Sequence, residues 1–99
     1  MNNVLDKLNK IIKLIKDDLK PKKIILFGSR AKGEEHKGSD IDLCVIGAED
    51  FGKSKVRKLK EKIDEVSGLY SVDLIFYEKI DDEFKNLITK NGKVIYEKK

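Results

Sequence analysis

The chain has a single cysteine, Cys44, so it admits neither an internal disulfide nor a metal cage built from several thiolates. Arginine is nearly as scarce: Arg30 and Arg57 stand alone among 22 basic residues. The rest are lysines, which meet phosphate as point charges and cannot reproduce the planar arginine fork. No apolar run reaches the ~18 residues of a membrane span, and no basic start leads into a signal-like apolar core. The expectation is a soluble, cytoplasmic protein with no membrane partner. A large excess of one charge is also lacking, since 22 basic residues against 18 acidic ones leave a net charge of +4. That mild balance suits an anionic ligand such as a nucleotide and argues against direct nucleic-acid binding through a basic arm. Internal repeats, low-complexity stretches and linkers are absent too, so residues 1–99 read as one small domain.

What is present is periodic. Apolar residues make up 39% and charged residues 40%, and the apolar ones recur at regular spacing, as in a globular domain with a highly charged surface. Val4, Leu8, Ile11, Ile15 and Leu19 mark an amphipathic helix over 3–19, which Pro21 stops. "KKIILFGS" (22–29) predicts a buried strand ending at Gly28, and "DIDLCVIG" (40–47) a second. Val56, Leu59, Ile63 and Val66 predict a helix over 50–66, with Gly68 as its stop. "YSVDLIFY" (70–77) reads as a third strand. Residues 80–90 read as a helix with Ile80, Phe84, Leu87 and Ile88 on one side, ending before Asn91-Gly92. "KVIYE" (93–97) reads as a short edge strand whose lysines discourage pairing with other chains. The order α-β-β-α-β-α-β predicts an α/β (α+β) fold, a small mixed sheet covered by helices. The unbroken apolar run Ile24–Phe27 fits a sheet covered on both faces.

Three carboxylates interrupt these apolar strands: Asp40, Asp42 and Asp73. A charge on a core strand is costly unless something compensates it. Residues i and i+2 on a strand share a face, so Asp40 and Asp42 point one way while Ile41 and Leu43 turn inward. A divalent cation removes the repulsion of such a pair, and Mg²⁺ takes hard oxygen ligands from one or two carboxylates plus substrate phosphates. If the third strand neighbours the second, Asp73 joins them, and three carboxylates suffice for the two-metal arrangement of phosphoryl chemistry. With ten aspartates in 99 residues, D-x-D alone arises by chance roughly once per chain. Gly28-Ser29 upstream and Ser39 directly before the pair make the compound pattern far rarer.

Gly28 lets a ligand approach the backbone closely, and Ser29 can cap a helical turn beginning at Arg30 while its hydroxyl and N–H hold a phosphate. Arg30 and Lys32 add positive charge nearby, although residues of this kind are more often solvated surface. His36, the only histidine, reads as a solvated loop residue, and Cys44 as a small buried filler. Tyr70, Tyr77 and Tyr96 fall at strand ends, where packing is the commoner role than base stacking.

"GSRAKGEEHKGSDIDL" resembles the G-S-x-A-x-G and S-D-[IV]-D-[LF] signature of the minimal nucleotidyltransferases, in the DNA polymerase β-like nucleotidyltransferase superfamily. The resemblance spans nearly the whole chain, through the third aspartate in "SVDLIF" to the closing "GKVIYE". It implies a polymerase β-like fold and Mg²⁺-dependent transfer of a nucleoside monophosphate, AMP from ATP foremost, to a hydroxyl with release of pyrophosphate. By the same resemblance Gly28 and Ser29 hold the triphosphate with Arg30 and Ser39 beside them. Asp40 and Asp42 bind two Mg²⁺ ions, and Asp73 binds one of them and helps activate the attacking hydroxyl. Small members of this family are often antitoxins partnered by a HEPN-domain ribonuclease toxin, some of which attach AMP to a toxin tyrosine, so a hetero-oligomer with such a toxin is one expected assembly. Two other functions stay open at this level: an antitoxin that neutralises its toxin by contact alone, and a nucleotidyltransferase acting on a small molecule or RNA.

Overall fold

A computed structural model describes residues 4–28, 40–49, 52–68 and 70–98. The first helix, α1 (Val4–Leu19), buries Ile11, Ile15 and Leu19, four residues apart and therefore stacked on one stripe. It ends where Lys20 takes a left-handed backbone, φ 47°. The Lys20 N–H closes the last turn by donating to the Lys16 carbonyl at 3.1 Å. Pro21, with no N–H to offer, turns the chain into the sheet.

The sheet is built from β1 (Lys23–Phe27), β2 (Ile41–Ile46), β3 (Val72–Phe76) and β4 (Lys93–Glu97), in the spatial order β3-β2-β1-β4. β1 runs antiparallel to both β2 and β4, whereas β2 and β3 are parallel. A parallel pair needs a crossover, and α2 (Lys53–Ser67) supplies it. That helix stops at Gly68, which has φ 64° and donates its N–H to the Asp64 carbonyl at 3.4 Å. A 3-10 turn (Tyr77–Lys79) and α3 (Asp82–Asn91) connect β3 to β4. The mixed sheet with helices on both sides is the expected architecture.

The strands alternate between two cores. Ile24 and Leu26 of β1, Ile41, Leu43 and Val45 of β2, and Leu74 and Phe76 of β3 pack with α1 and α2. The intervening residues Ile25, Cys44 and Ile75 turn to the opposite face, where Ile88 of α3 is buried and Phe27 and Phe84 pack beside it. Each buried aliphatic contributes at most about 1.5–3 kcal/mol. Among the described residues the α1/α2 face holds 13 buried side chains and the α3 face three, so the first carries most of the stabilisation and leaves the second free to hold polar groups.

The expected helix over 80–90 is shifted. Ile80 lies ahead of it, because Asp81 is the N-cap and accepts the Phe84 N–H at 2.8 Å. Asn91 is its last residue rather than the first beyond it. Leu87, assigned to the apolar side, is 56% exposed, since Ile88 beside it takes the inward position. The third strand stops at Phe76 because Tyr77 enters the 3-10 turn.

Candidate active site

The alternation that sorts the hydrophobic residues also places the acids. Ile41 and Leu43 are fully buried against the α1/α2 face, so Asp42 between them must point to the α3 face. Val72 and Leu74 do the same for Asp73. In the parallel β2–β3 pair Asp42 and Asp73 are register partners, and Phe27 stands opposite Asp42 on its other side in β1. A row Phe27–Asp42–Asp73 therefore crosses three strands on one face.

Asp40 is exposed and immediately precedes β2. Its charge still reaches Asp42, whose carboxyl is raised above its ordinary value of 3.8. Partial burial is the largest cause; the negative charge of Asp73, a side-chain hydrogen bond with Asp73 and the charge of Asp40 follow. Among the described residues no three His, Cys, Asp or Glu side chains stand close enough together to hold a metal ion. The structure thus pairs Asp42 with Asp73 and leaves Asp40 beside them. The donor chemistry suits a divalent cation, because hard carboxylate oxygens that repel one another are relieved by positive charge.

Gly28 closes β1 beside this pair. Its φ of 80° lies in the region that side chains avoid, and a Cβ there would collide with Oδ2 of Asp42. Glycine is required on both counts, by the turn and by the carboxylate. Ser29, Arg30, Lys32, His36 and Ser39 lie outside the described residues.

A cavity of about 370 Å³ opens over the pair, lined by Phe27, Asp42, Asp73 and Phe84 with Lys60 and Asp64 at one side. A smaller one, about 190 Å³, lies across Phe27 and Phe84, against Gly28, Leu87 and Asn91. The two phenylalanine rings meet edge to face with centroids 6.0 Å apart and form the partition. In the sequence Phe84 reads as a packing residue of its helix and Lys60 as part of a solvated lysine-rich face; only the fold brings α2 and α3 to the same cavity. The tyrosines pack against lysines instead: Lys7 over Tyr70 at 5.2 Å, Lys85 over Tyr77 at 5.2 Å and Lys16 over Tyr96 at 5.9 Å. Cys44 is the buried filler the sequence suggested. No helix of the described residues is long and apolar enough to cross a membrane.

This arrangement has known counterparts. Residues 9–99 match the family model described as "Polymerase beta, Nucleotidyltransferase". Protein adenylyltransferase MntA of Shewanella oneidensis is 34% identical over 90 residues, which cover 89% of this chain and 63% of that relative. A crystal structure of a toxin–antitoxin with AMP-PNP contains a chain that superposes with a TM-score of 0.78 at 30% identity, covering 92% of this chain and 73% of the other. A structure of tri-AMPylated Shewanella oneidensis HEPN toxin in complex with MNT antitoxin matches with a TM-score of 0.71 at 27% identity, over 93% of this chain and 71% of the other. A signature glycine beside an in-register aspartate pair, on a sheet of this order and with a family match over nearly its full length, leaves one assignment: the chain belongs to the polymerase beta nucleotidyltransferase family.

Proposed function

We propose that residues 1–99 act as one minimal nucleotidyltransferase domain that moves AMP from ATP to a hydroxyl, a tyrosine foremost, of a partner HEPN-type ribonuclease toxin, and so serves as its antitoxin. The observation that carries this reading is the register pairing of Asp42 with Asp73 directly beside Gly28. The names of the relative and of the matched complexes supply the acceptor class. An ATP-dependent reaction on such a partner belongs in the cytoplasm.

In the reaction a bond forms between the acceptor oxygen and the α-phosphorus, the bond from that phosphorus to the bridging oxygen breaks, and pyrophosphate departs. Gly28, with Ser29, Arg30 and Ser39, holds the triphosphate tail and aims the α-phosphorus at the aspartate row. Asp73 orients the acceptor hydroxyl and takes its proton. Asp42 and Asp73 would hold Mg²⁺ between them, with Asp40 beside the pair and the substrate phosphates completing the set, two ions in this reading. The metal supplies charge neutralisation at the attacking and leaving oxygens. Phe27 and Phe84 keep one wall apolar, which limits water around the reacting groups.

The test is transfer of label from α-labelled ATP to the toxin with Mg²⁺ present. Wild-type protein labels it and Asp42→Asn does not. Labelling that persists in Asp42→Asn refutes the reading. Toxin neutralisation in cells that survives the Asp40→Asn/Asp42→Asn double change favours an antitoxin acting by contact.

A further inference from the structure

β3 is an outer strand of the sheet, and so is β4, but the two edges are built differently. The β4 edge carries Lys93 and Glu97, with Lys98 following, and its pairing with β1 slips register between Ile24 and Ile25. Charges and irregular pairing of this kind discourage a further strand. β3 reads Val72-Asp73-Leu74-Ile75-Phe76, with no lysine, no proline and no break in its pairing with β2.

The ladder fixes which main-chain groups face outward. Ile41 is the register partner of Val72, and its N–H donates to the Ser71 carbonyl at 2.8 Å. In a parallel ladder alternate residues bond to the same neighbour. The backbone of Asp73 and Ile75 therefore turns toward β2, and that of Val72 and Leu74 turns away from it. Among the described residues no strand pairs with this outer side.

The cavity at the aspartate pair follows this edge. Val72, Asp73, Leu74 and Ile75 all line it, four consecutive residues whose side chains alternate between the two faces. A pocket on one face of a sheet would meet only every second residue. This one has Asp42 and Phe84 on one wall and Lys60, Ile63 and Asp64 of α2 on the other, so it wraps the edge itself.

We infer that the open edge of β3 is the acceptor site, where the protein substrate adds an extended segment as a fifth strand. This rests on the proposed transfer to a protein. The occupant is fixed by what the groove offers: main-chain donors and acceptors along its length, and the aspartate pair at one wall. A polypeptide meets the first and brings its hydroxyl to the second. The residue of the added strand abreast of Asp73 lies about 4.8 Å from it in the pairing direction and projects its side chain to the same face. Its two neighbours project to the other face, against Ile63 with Lys60 and Asp64 at the rim. Recognition then depends on an extended shape and on the hydroxyl's place in the alternation, more than on a long sequence motif.

The test combines amide hydrogen exchange with steady-state labelling, using the wild-type chain, AMP-PNP or labelled ATP, Mg²⁺ and the partner toxin. Adding toxin in the presence of AMP-PNP slows exchange at the Val72 and Leu74 amides by about tenfold or more and leaves the outer amides of β4 unchanged. Val72→Pro removes an outward N–H without touching the β2 ladder and raises the KM for toxin about tenfold, with AMP-PNP affinity unchanged; Val72→Ala, which keeps the N–H, stays within about threefold. If Val72→Pro does not fold, the exchange result on the wild type decides. Label transfer without protection at Val72 and Leu74 overturns the edge assignment alone, as does an equal KM for the proline and alanine variants. Protection that appears without toxin and grows with protein concentration assigns the edge to a second copy and overturns it too. Absence of any label transfer by the wild type overturns the proposed function and this inference with it.

Discussion

Asp42 faces Asp73 in register across the parallel β2–β3 pair, two acids where neighbouring strands ordinarily set opposite charges or apolar partners. The arrangement opposes folding and, in the proposed function, serves the reaction. Asp42→Asn or Asp73→Asn is expected to lower AMP transfer by at least about a hundredfold, the scale on which charge-stabilising groups act. Labelling kinetics at saturating Mg²⁺ check it.

The same pair sets a pH dependence. The Asp42 carboxyl titrates above 3.8 in the folded chain. Between 3.8 and that higher value the folded state keeps a proton that the unfolded state has released, so stability contributed by this group falls as pH rises through the window. Its contribution is fully present below the ordinary carboxylate value. Asp42→Asn flattens this part of the profile and raises the melting temperature at pH 7. Thermal melts from pH 3 to 7 on both proteins measure the difference, and a steeper profile in the variant contradicts the account.

Gly28 admits no side chain without moving Asp42. Gly28→Ala is expected to destabilise the fold by about 1–2 kcal/mol through its positive φ. It is also expected to lower transfer by more than tenfold, because the added methyl displaces the Asp42 carboxylate. Urea unfolding gives the first figure and labelling the second.

Neighbouring residues of α3 separate packing from exposure. Ile88 is 1% exposed and Leu87 56%. Ile88→Ala is expected to cost about 2–4 kcal/mol, and Leu87→Ala within about 0.5 kcal/mol of nothing. Equal effects in urea titrations would mean that α3 is rotated from the position described.

Burial, and then the charge of Glu78, push the Cys44 thiol up to about 11. A disulfide reagent at pH 8 is therefore expected to modify Cys44 only through unfolding, with a rate that rises in urea as the folded fraction falls. Rapid modification of the native chain would show that the α3 face opens on its own.

Much of this was legible in the residues because it is local. Ile11, Ile15 and Leu19 announce α1 by their spacing, and Pro21 announces its end. Gly28, Asp42 and Asp73 stood out as a glycine and two charges set into apolar strands. That Asp73 stands opposite Asp42 was legible only as a condition, since nothing local says which strands become neighbours. Phe84, Lys60 and Asp64 give no local sign of a shared site for the same reason: each looks like an ordinary helix residue, and the sheet order makes them walls of one cavity. Leu87 misled because an apolar residue at helical spacing can fall just off the buried stripe.

The crossover through α2 ties the acid pair to a single ladder. β2 and β3 are connected through that helix, so their pairing closes a loop of long sequence separation. Asp42 and Asp73 come together only through that pairing, so whatever opens the β2–β3 ladder also parts the two carboxylates. The pair lasts only as long as the ladder to the outer strand stays closed, and fraying of β3 dismantles it while α1 keeps its own buried stripe.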